Sequence, residues 1–282
     1  MTVTILGISG SPRHGNTDTV VKEALRAAGA MGAHTEFFSL ADLAVQPCTG
    51  CYQCYGFNRG ATWDQLCYVH DDDVSSIYRR IKEADGIIVG SPVYALDVSA
   101  KLKALMERGV PFCHYAASPL SGAIRNKVVG GVAVAFERRS GQESTLASIW
   151  RWAVAVCSGV VVGATPFPPD PAPQGSFLGA LADTCDSRHP LEAKGVTRHH
   201  SRVRPPTSGI YNMRAARNLG RNVTQTAMIM KTGIEALAED GYSFPPLPVI
   251  GYPEEEIRDG SYLDRVRKGQ VEPPPYQLLK VP

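Results

Sequence analysis

Five short apolar runs, each followed by a stretch of helical periodicity, most limit the folds open to this chain of 282 residues. The runs Val3-Ser9, His34-Ser39, Gly86-Gly90, Lys127-Ala135 and Ser158-Ala164 read as strands. Between and after them, Asp18-Met31, Val74-Ala84, Ser99-Arg108, Gln142-Cys157 and Tyr211-Glu239 space their apolar residues as helices do. Strict alternation of this kind predicts an α/β domain, a doubly wound parallel sheet with helices on both faces. Ligands of such a sheet sit at the carboxyl ends of its strands. The domain is expected to span residues 1–240. Three segments fall outside the plan: residues 40–72, which hold clustered cysteines, a long insertion at 165–210, and a Pro-rich C-terminal extension at 241–282. Loops of this length without a core of their own are usually functional or disordered.

Composition narrows the function classes. The 29 basic and 27 acidic side chains leave a formal charge of +2, too little to argue for nucleic acid as a partner, and none is expected. No apolar run approaches the roughly 18 residues that span a bilayer, and the amino terminus lacks the pattern of a secretory signal. The expectation is a cytoplasmic protein without a membrane partner. Four of the seven cysteines crowd between Cys48 and Cys67, a poor layout for a disulfide framework in a chain this large.

The turn after the first strand reads Ser9-Gly10-Ser11-Pro12-Arg13-His14-Gly15-Asn16-Thr17. Backbone N–H groups at a helix start, the side chains of Ser9, Ser11, Asn16 and Thr17, and the charge of Arg13 together suit a phosphate monoester. The spacing matches neither the Walker loop nor the dinucleotide-binding Gly-x-Gly-x-x-Gly turn, which points to a mononucleotide. A polar turn capped by Asn16 or Thr17 would use the same residues. Ser91, Pro92, Val93 and Tyr94 emerge at the carboxyl end of the third strand, where a ligand is expected, although an ordinary strand-ending turn has the same composition. The stretch Arg138 to Glu143, after the fourth strand, is placed to close the other edge of the site.

Cys48, Cys51 and Cys54 follow one another at three-residue intervals, with Cys67 beyond. That run is the ferredoxin-like arrangement for iron-sulfur ligation, with Cys67 able to complete four-coordination. Zinc, which usually takes two separated Cys-x2-Cys pairs, and a metal-free thiol group stay open as alternatives. Asp71, Asp72 and Asp73 are expected to cap the next helix. Arg214, Arg217 and Arg221 are expected on an exposed helical face, and His199 and His200 lie in a basic stretch. Cys113, Cys157 and Cys185 lack partner spacing.

Taken together, Ser9-Gly10-Ser11-Pro12-Arg13, Gly15-Asn16-Thr17 and Gly90-Ser91-Pro92-Val93-Tyr94 resemble the flavodoxin-like NAD(P)H-dependent FMN reductases. Pro47-Cys48-Thr49-Gly50-Cys51, Cys54, Cys67 with Asp71-Asp72, and Gly141-Gln142-Glu143 look like the iron-sulfur flavoprotein branch of that family. The resemblance covers residues 1–164 and, more loosely, the helix from Tyr211. It implies a flavodoxin-like five-stranded sheet in the order 2-1-3-4-5. It also implies that Ser9, Ser11, Arg13, Asn16 and Thr17 hold the FMN phosphate while Ser91, Pro92, Val93 and Tyr94 lie along the isoalloxazine. Gly141, Gln142 and Glu143 would bound the acceptor pocket, and Cys48, Cys51, Cys54 and Cys67 would hold a [4Fe-4S] cluster. The fourth cysteine stands farther from the third than in such relatives, with Tyr55 to Leu66 between them, an insertion that could shield a cluster.

The activity so implied is FMN-dependent oxidoreduction, with NADPH or NADH as donor and a quinone, flavin, nitro-aromatic compound or ferredoxin-like redox protein as acceptor. No side-chain acid or base is needed for hydride transfer to flavin. A homodimer or homotetramer is implied by the same resemblance. A metal-free FMN reductase and a non-catalytic electron carrier docking on a larger enzyme are the alternatives.

Overall fold

The computed structural model describes residues 2–56, 58–113, 118–137, 140–165, 178–183, 210–242 and 268. Strands β1 (Thr4–Ser9), β2 (His34–Ser39), β3 (Gly86–Pro92), β4 (Val128–Ala135), β5 (Val160–Val162) and β6 (Ala180–Asp183) form one sheet. The five expected strands pair in the order β2-β1-β3-β4-β5, all parallel. Helices α1 (Asn16–Gly29), α2 (Val74–Glu83), α3 (Ala100–Glu107), α4 (Gln142–Cys157) and α5 (Ile210–Glu239) cover it. The order reverses between β1 and β3. Arg138, Cys185, the basic stretch with His199 and His200, and nearly all of the C-terminal extension lie outside the described residues.

Burial explains the strand sequences. Both faces of the sheet are covered, so β1, β3 and β4 are apolar almost throughout instead of alternating. Leu6, Ile8, Ile87, Val89 and Val129 point to one core, with Ile77 and Tyr78 of α2, Leu102 and Leu105 of α3, and Ile149 and Trp152 of α4. Ile5, Ile88, Val128 and Val132 point to the other, with Val20 and Ala24 of α1 and Ala216, Leu219 and Val223 of α5.

Two features differ from the sequence reading. The sheet has a sixth strand, β6, drawn from the stretch assigned to the insertion. It pairs with Val132–Ala135 of β4, immediately beyond the Val128–Gly130 segment that pairs with β5. One edge position is thus shared by two short strands, and β6, at four residues, is too short to announce itself by alternation. The second difference concerns α5. Arg214, Arg217 and Arg221 are half-buried, and Arg217 approaches Glu23 of α1 at 3.3 Å, so this face is partly covered by α1 and is not simply solvated. No helix among the described residues is long and apolar enough to cross a membrane.

Close approach of α5 to α1 depends on Gly220, where an added Cβ would lie 2.0 Å from the carbonyl oxygen of Ala24. In an isolated helix, Gly to Ala stabilises by about 1 kcal/mol. Here Gly220→Ala is expected to reverse that sign and lower stability by about 1–3 kcal/mol, as overpacking does. Urea unfolding monitored by circular dichroism checks it.

Candidate functional site

The carboxyl ends of β1 and β3 meet at the point where the strand order reverses. Gly10 N donates to Gly90 O at 2.7 Å. Ser99, which caps α3, donates through its hydroxyl to Gly10 O at 2.5 Å, and its N–H donates to Ser91 Oγ at 3.0 Å. The helix α1 then starts at Gly15, where no side chain caps it; its first intrahelical bond runs from Thr19 N to Gly15 O. Capping by Asn16 or Thr17 is therefore not what this turn does. The N–H groups of its first turn face the loop, the arrangement that attracts an anion.

The side chains divide into two groups. Ser9 Oγ is buried at the end of β1 and has no hydrogen-bond partner, an exception among buried polar atoms that calls for an explanation. Thr17 is buried, Asn16 is half-buried and Arg13 is exposed on the loop. Ser11 and Ser91 do something else: Ser11 Oγ bonds the backbone N–H and carbonyl of Arg13, and Ser91 Oγ donates to Pro92 O while accepting from Ser99 N. These two hydroxyls shape the loops. An orphaned hydroxyl, an uncapped helix start and an arginine fit a phosphate monoester.

A histidine that the sequence reading passed over braces this loop. His14 Nδ1 stands 2.8 Å from Asp18 Oδ2 and Nε2 stands 2.8 Å from Asp42 Oδ1, while Ser39 Oγ donates to Asp18 Oδ1 at 3.3 Å. Carboxylates accept hydrogen bonds, so a carboxylate at each ring nitrogen favours the protonated form of the ring. The hydrogen bond to Asp18, then that to Asp42, raises its pKa above the ordinary 6.5.

The opposite wall is the turn Tyr94 to Asp97. Tyr94 N donates to Asp97 O (2.9 Å), Asp97 N donates to Tyr94 O (3.0 Å), and Ala95 and Leu96 both have positive φ, 47° and 67°. Two adjacent non-glycine residues in that region are strained, a state that clusters at ligand-binding sites. Nothing in their identity signalled it. Val93 N is held by Val134 O, Tyr94 and Leu96 are exposed, and the Ser144 hydroxyl donates to Leu96 O from the first turn of α4. Gly141 caps α4 at φ 93°, Gln142 is buried with its Oε1 accepting from Ser140 N, and Glu143 is exposed. The structure thus packs the start of α4 against the β3 turn through Leu96, so that the two loops form one wall where the sequence placed them on two edges.

The cysteine segment packs on the face of α2 and α3. Cys48 and Cys51 are exposed, Cys54 and Cys67 half-buried, and all four are free thiols. Gly50 N donates to Cys48 Sγ and Val69 N to Cys67 Sγ, each at 3.4 Å. Burial raises the Cys54 thiol above its ordinary value, and Cys48, Cys51 and Cys67 act on it in the same direction. Among the described residues, no three His, Cys, Asp or Glu side chains are gathered as a metal-binding group, so the sulfurs share a loop without forming a cage. Their chemistry fits a cluster all the same: four reduced sulfurs, two of them already accepting N–H bonds of the kind that tune such centres. In the insertion between Cys54 and Cys67, Ala61 and Leu66 are core residues, and Trp63 stacks near Phe112 at 5.3 Å with the Lys82 ammonium over its ring. Trp63 therefore anchors the segment to the core.

The aspartates after Cys67 do not all cap α2. Asp73 stands at the cap position but makes no side-chain cap bond; its carboxylate accepts from Ala44 N at 2.6 Å. Asp72 accepts from Val74 N and Gln46 N, and forms a buried pair with Arg108. Burial would raise the Asp72 carboxyl, but the Arg108 guanidinium and those N–H groups outweigh it and hold the pKa below the ordinary value.

Residues 3–166 match the family described as NADPH-dependent FMN reductase. The chain belongs to that family. It is 45% identical over 160 residues to an iron-sulfur flavoprotein of Methanocaldococcus jannaschii, covering 56% of this chain and 75% of the relative. It is 32% identical over 188 residues to one from Archaeoglobus fulgidus, covering 67% and 85%. Among solved structures, a flavone reductase superposes with a TM-score of 0.52 at 19% identity over 81% of this chain; the match spans 64% of that protein, less than two thirds of its length. At that identity the likeness concerns the flavodoxin-like fold alone. Relative to these proteins' shared architecture, the turn after β1 and the wall from β3 and β4 occupy the crevice where a doubly wound sheet binds its ligand.

Two outcomes follow from this geometry. Because His14 gains its partners in the folded state, the stability it contributes is complete below about pH 6 and disappears as pH rises through its raised folded value. Thermal melts of the flavin-free protein should show His14→Asn less stable than the parent at about pH 6, with the difference shrinking as pH rises. A Cβ on Gly141 would lie 2.5 Å from Leu96 Cα and in the left-handed region. Gly141→Ala is expected to cost at least about 1–2 kcal/mol in urea unfolding.

Proposed function

We propose that this family member is a cytoplasmic FMN oxidoreductase that takes electrons from NADPH or NADH and passes them to a small quinone, flavin or nitro-aromatic acceptor or to a ferredoxin-like protein. A [4Fe-4S] cluster on Cys48, Cys51, Cys54 and Cys67 belongs to the same reading, as does assembly into a homodimer or homotetramer. The observation that carries it is the buried, unpartnered Ser9 hydroxyl beside the uncapped start of α1, a site shaped for a phosphate at the switch point of the sheet. The cluster is supported by the four free cysteines on one loop and by relatives named as iron-sulfur flavoproteins.

Bound FMN supplies hydride acceptance and single-electron release, and the cluster supplies one-electron transfer. The chain's own residues bind and orient. Ser9, Asn16, Thr17 and Arg13 hold the phosphate, with the α1 N–H groups adding directed positive charge. Ser11 and Ser91 keep the two loops in shape, Pro92 to Tyr94 line the ring edge, and Gly141, Gln142 and Glu143 bound the acceptor side. No side chain has to move a proton for hydride transfer.

Protein purified without oxygen should carry about one FMN, with roughly four irons and matching acid-labile sulfide per chain, and NADPH or NADH should bleach its flavin in stopped-flow absorbance. Flavin without iron would leave a metal-free FMN reductase. Reduction by ferredoxin and by neither nicotinamide would identify an electron carrier. Failure to bind FMN at all would overturn the whole reading. Ser9→Ala, which removes one charge-assisted hydrogen bond, should weaken FMN binding by roughly tenfold.

A further inference from the structure

The cysteine segment leaves the short helical turn Leu40–Asp42 and rejoins regular structure only at Val74. A stretch of that length holds its shape only where its ends are fastened. Arg108 fastens them. Standing at the C-cap of α3, it donates through Nη1 to Asp72 Oδ2 (2.9 Å) and Gln46 O (3.1 Å) and through Nη2 to Asp72 Oδ1 (3.2 Å). Asp72 in turn accepts from Gln46 N at 3.0 Å. The two side chains are 4% and 2% exposed. Gln46 immediately precedes Pro47-Cys48, and Asp72 follows Cys67, so one guanidinium holds the segment on both sides of its four sulfurs. Next to it, Asp73 N and Ala44 O are bonded at 3.0 Å, closing the neck a second time.

Stability alone is a poor reason for this pair. Desolvation of two buried charges roughly cancels their attraction, so apolar replacements are often as stable. A planar fork engaged on three acceptors does fix direction. The helix that carries Arg108 begins at the other site: Ser99, its N-cap, bonds Gly10 and Ser91 at the crevice between β1 and β3. One helix of eight residues, about 12 Å long, is therefore tied to the crevice at its start and to the neck of the cysteine segment at its end.

We propose that Arg108 is the positioning residue of the cysteine centre: its fork closes the neck of segment 46–72, and α3 holds that neck at a fixed offset from the flavin crevice. The iron half of this inference rests on the cluster reading above; the ordering of the segment does not.

The test uses full-length protein purified without oxygen. Arg108→Met alone leaves a buried lone carboxylate and loses fold stability for that reason, so the informative variant is Arg108→Met with Asp72→Asn, which removes both charges and keeps an acceptor for Gln46 N. Expected are a melting temperature close to the parent's, retained FMN, iron affinity lower by roughly 10–100-fold, and several-fold faster hydrogen exchange confined to residues 44–54 and 67–73. Arg108→Lys, which keeps the charge and loses the fork, should fall between the parent and the double variant in both readouts. A stable double variant with parental iron per flavin and parental exchange protection overturns the inference. So does one that loses flavin and iron equally. Parent protein with flavin and no iron overturns the cluster instead, and the exchange measurement alone then decides the role of Arg108.

Discussion

A single backbone hydrogen bond, Gly10 N to Gly90 O, joins the chain just beyond β1 to the end of β3 at the place where the strand order turns back. The helices leaving these strands go to opposite faces, α1 to the face shared with α5 and α3 to the face shared with α2 and α4. Strand ends that meet while their helices diverge leave a crevice above the bond. The turn after β1, the Tyr94–Asp97 wall and the cap of α3 all take their positions from it. Ser99 makes the arrangement stiff, because its hydroxyl and its N–H reach one partner on each side of the crevice.

Much of this could be read from residue order. The alternation of apolar runs with helical periodicity located five strands and five helices within a few residues, because strands buried on both faces have no other way to look. The turn from Ser9 to Thr17 was legible as a polar strand-to-helix loop because glycines and hydroxyls cluster there just before a helix start. What stayed hidden depends on long-range meetings that local sequence does not encode. Asp72 looked like one more acidic residue before a helix, and its partner Arg108 lies on a different helix. His14 looked like a loop residue until Asp18 and Asp42 were found on either side of it. Ala95 and Leu96 carry positive φ without the glycine or asparagine that would have marked it.

The two candidate centres are built on different principles. At the crevice, backbone N–H groups and the Ser9 hydroxyl sit on regular elements, the end of β1 and the start of α1. Among its described residues the cysteine segment has no helix or strand between its ends, and it is held from outside: core burial of Ala61 and Leu66, the stacking of Trp63 near Phe112, and the hold of Arg79 on Trp63 O and Asp64. A site of the second kind takes the positions of its sulfurs from the frame beneath it.

The division of one sheet edge between β5 and β6 has a bearing on how such a chain can vary. Residues between the two strands enter and leave the edge of β4 at adjoining rungs of its ladder. A change in the connection at that break falls at the sheet edge, away from the β1–β3 and β3–β4 registers. Among the described residues that edge is made of strands of three and four residues, short ones of the kind that blunt edge pairing. The fold has, in effect, a seam along which it can grow.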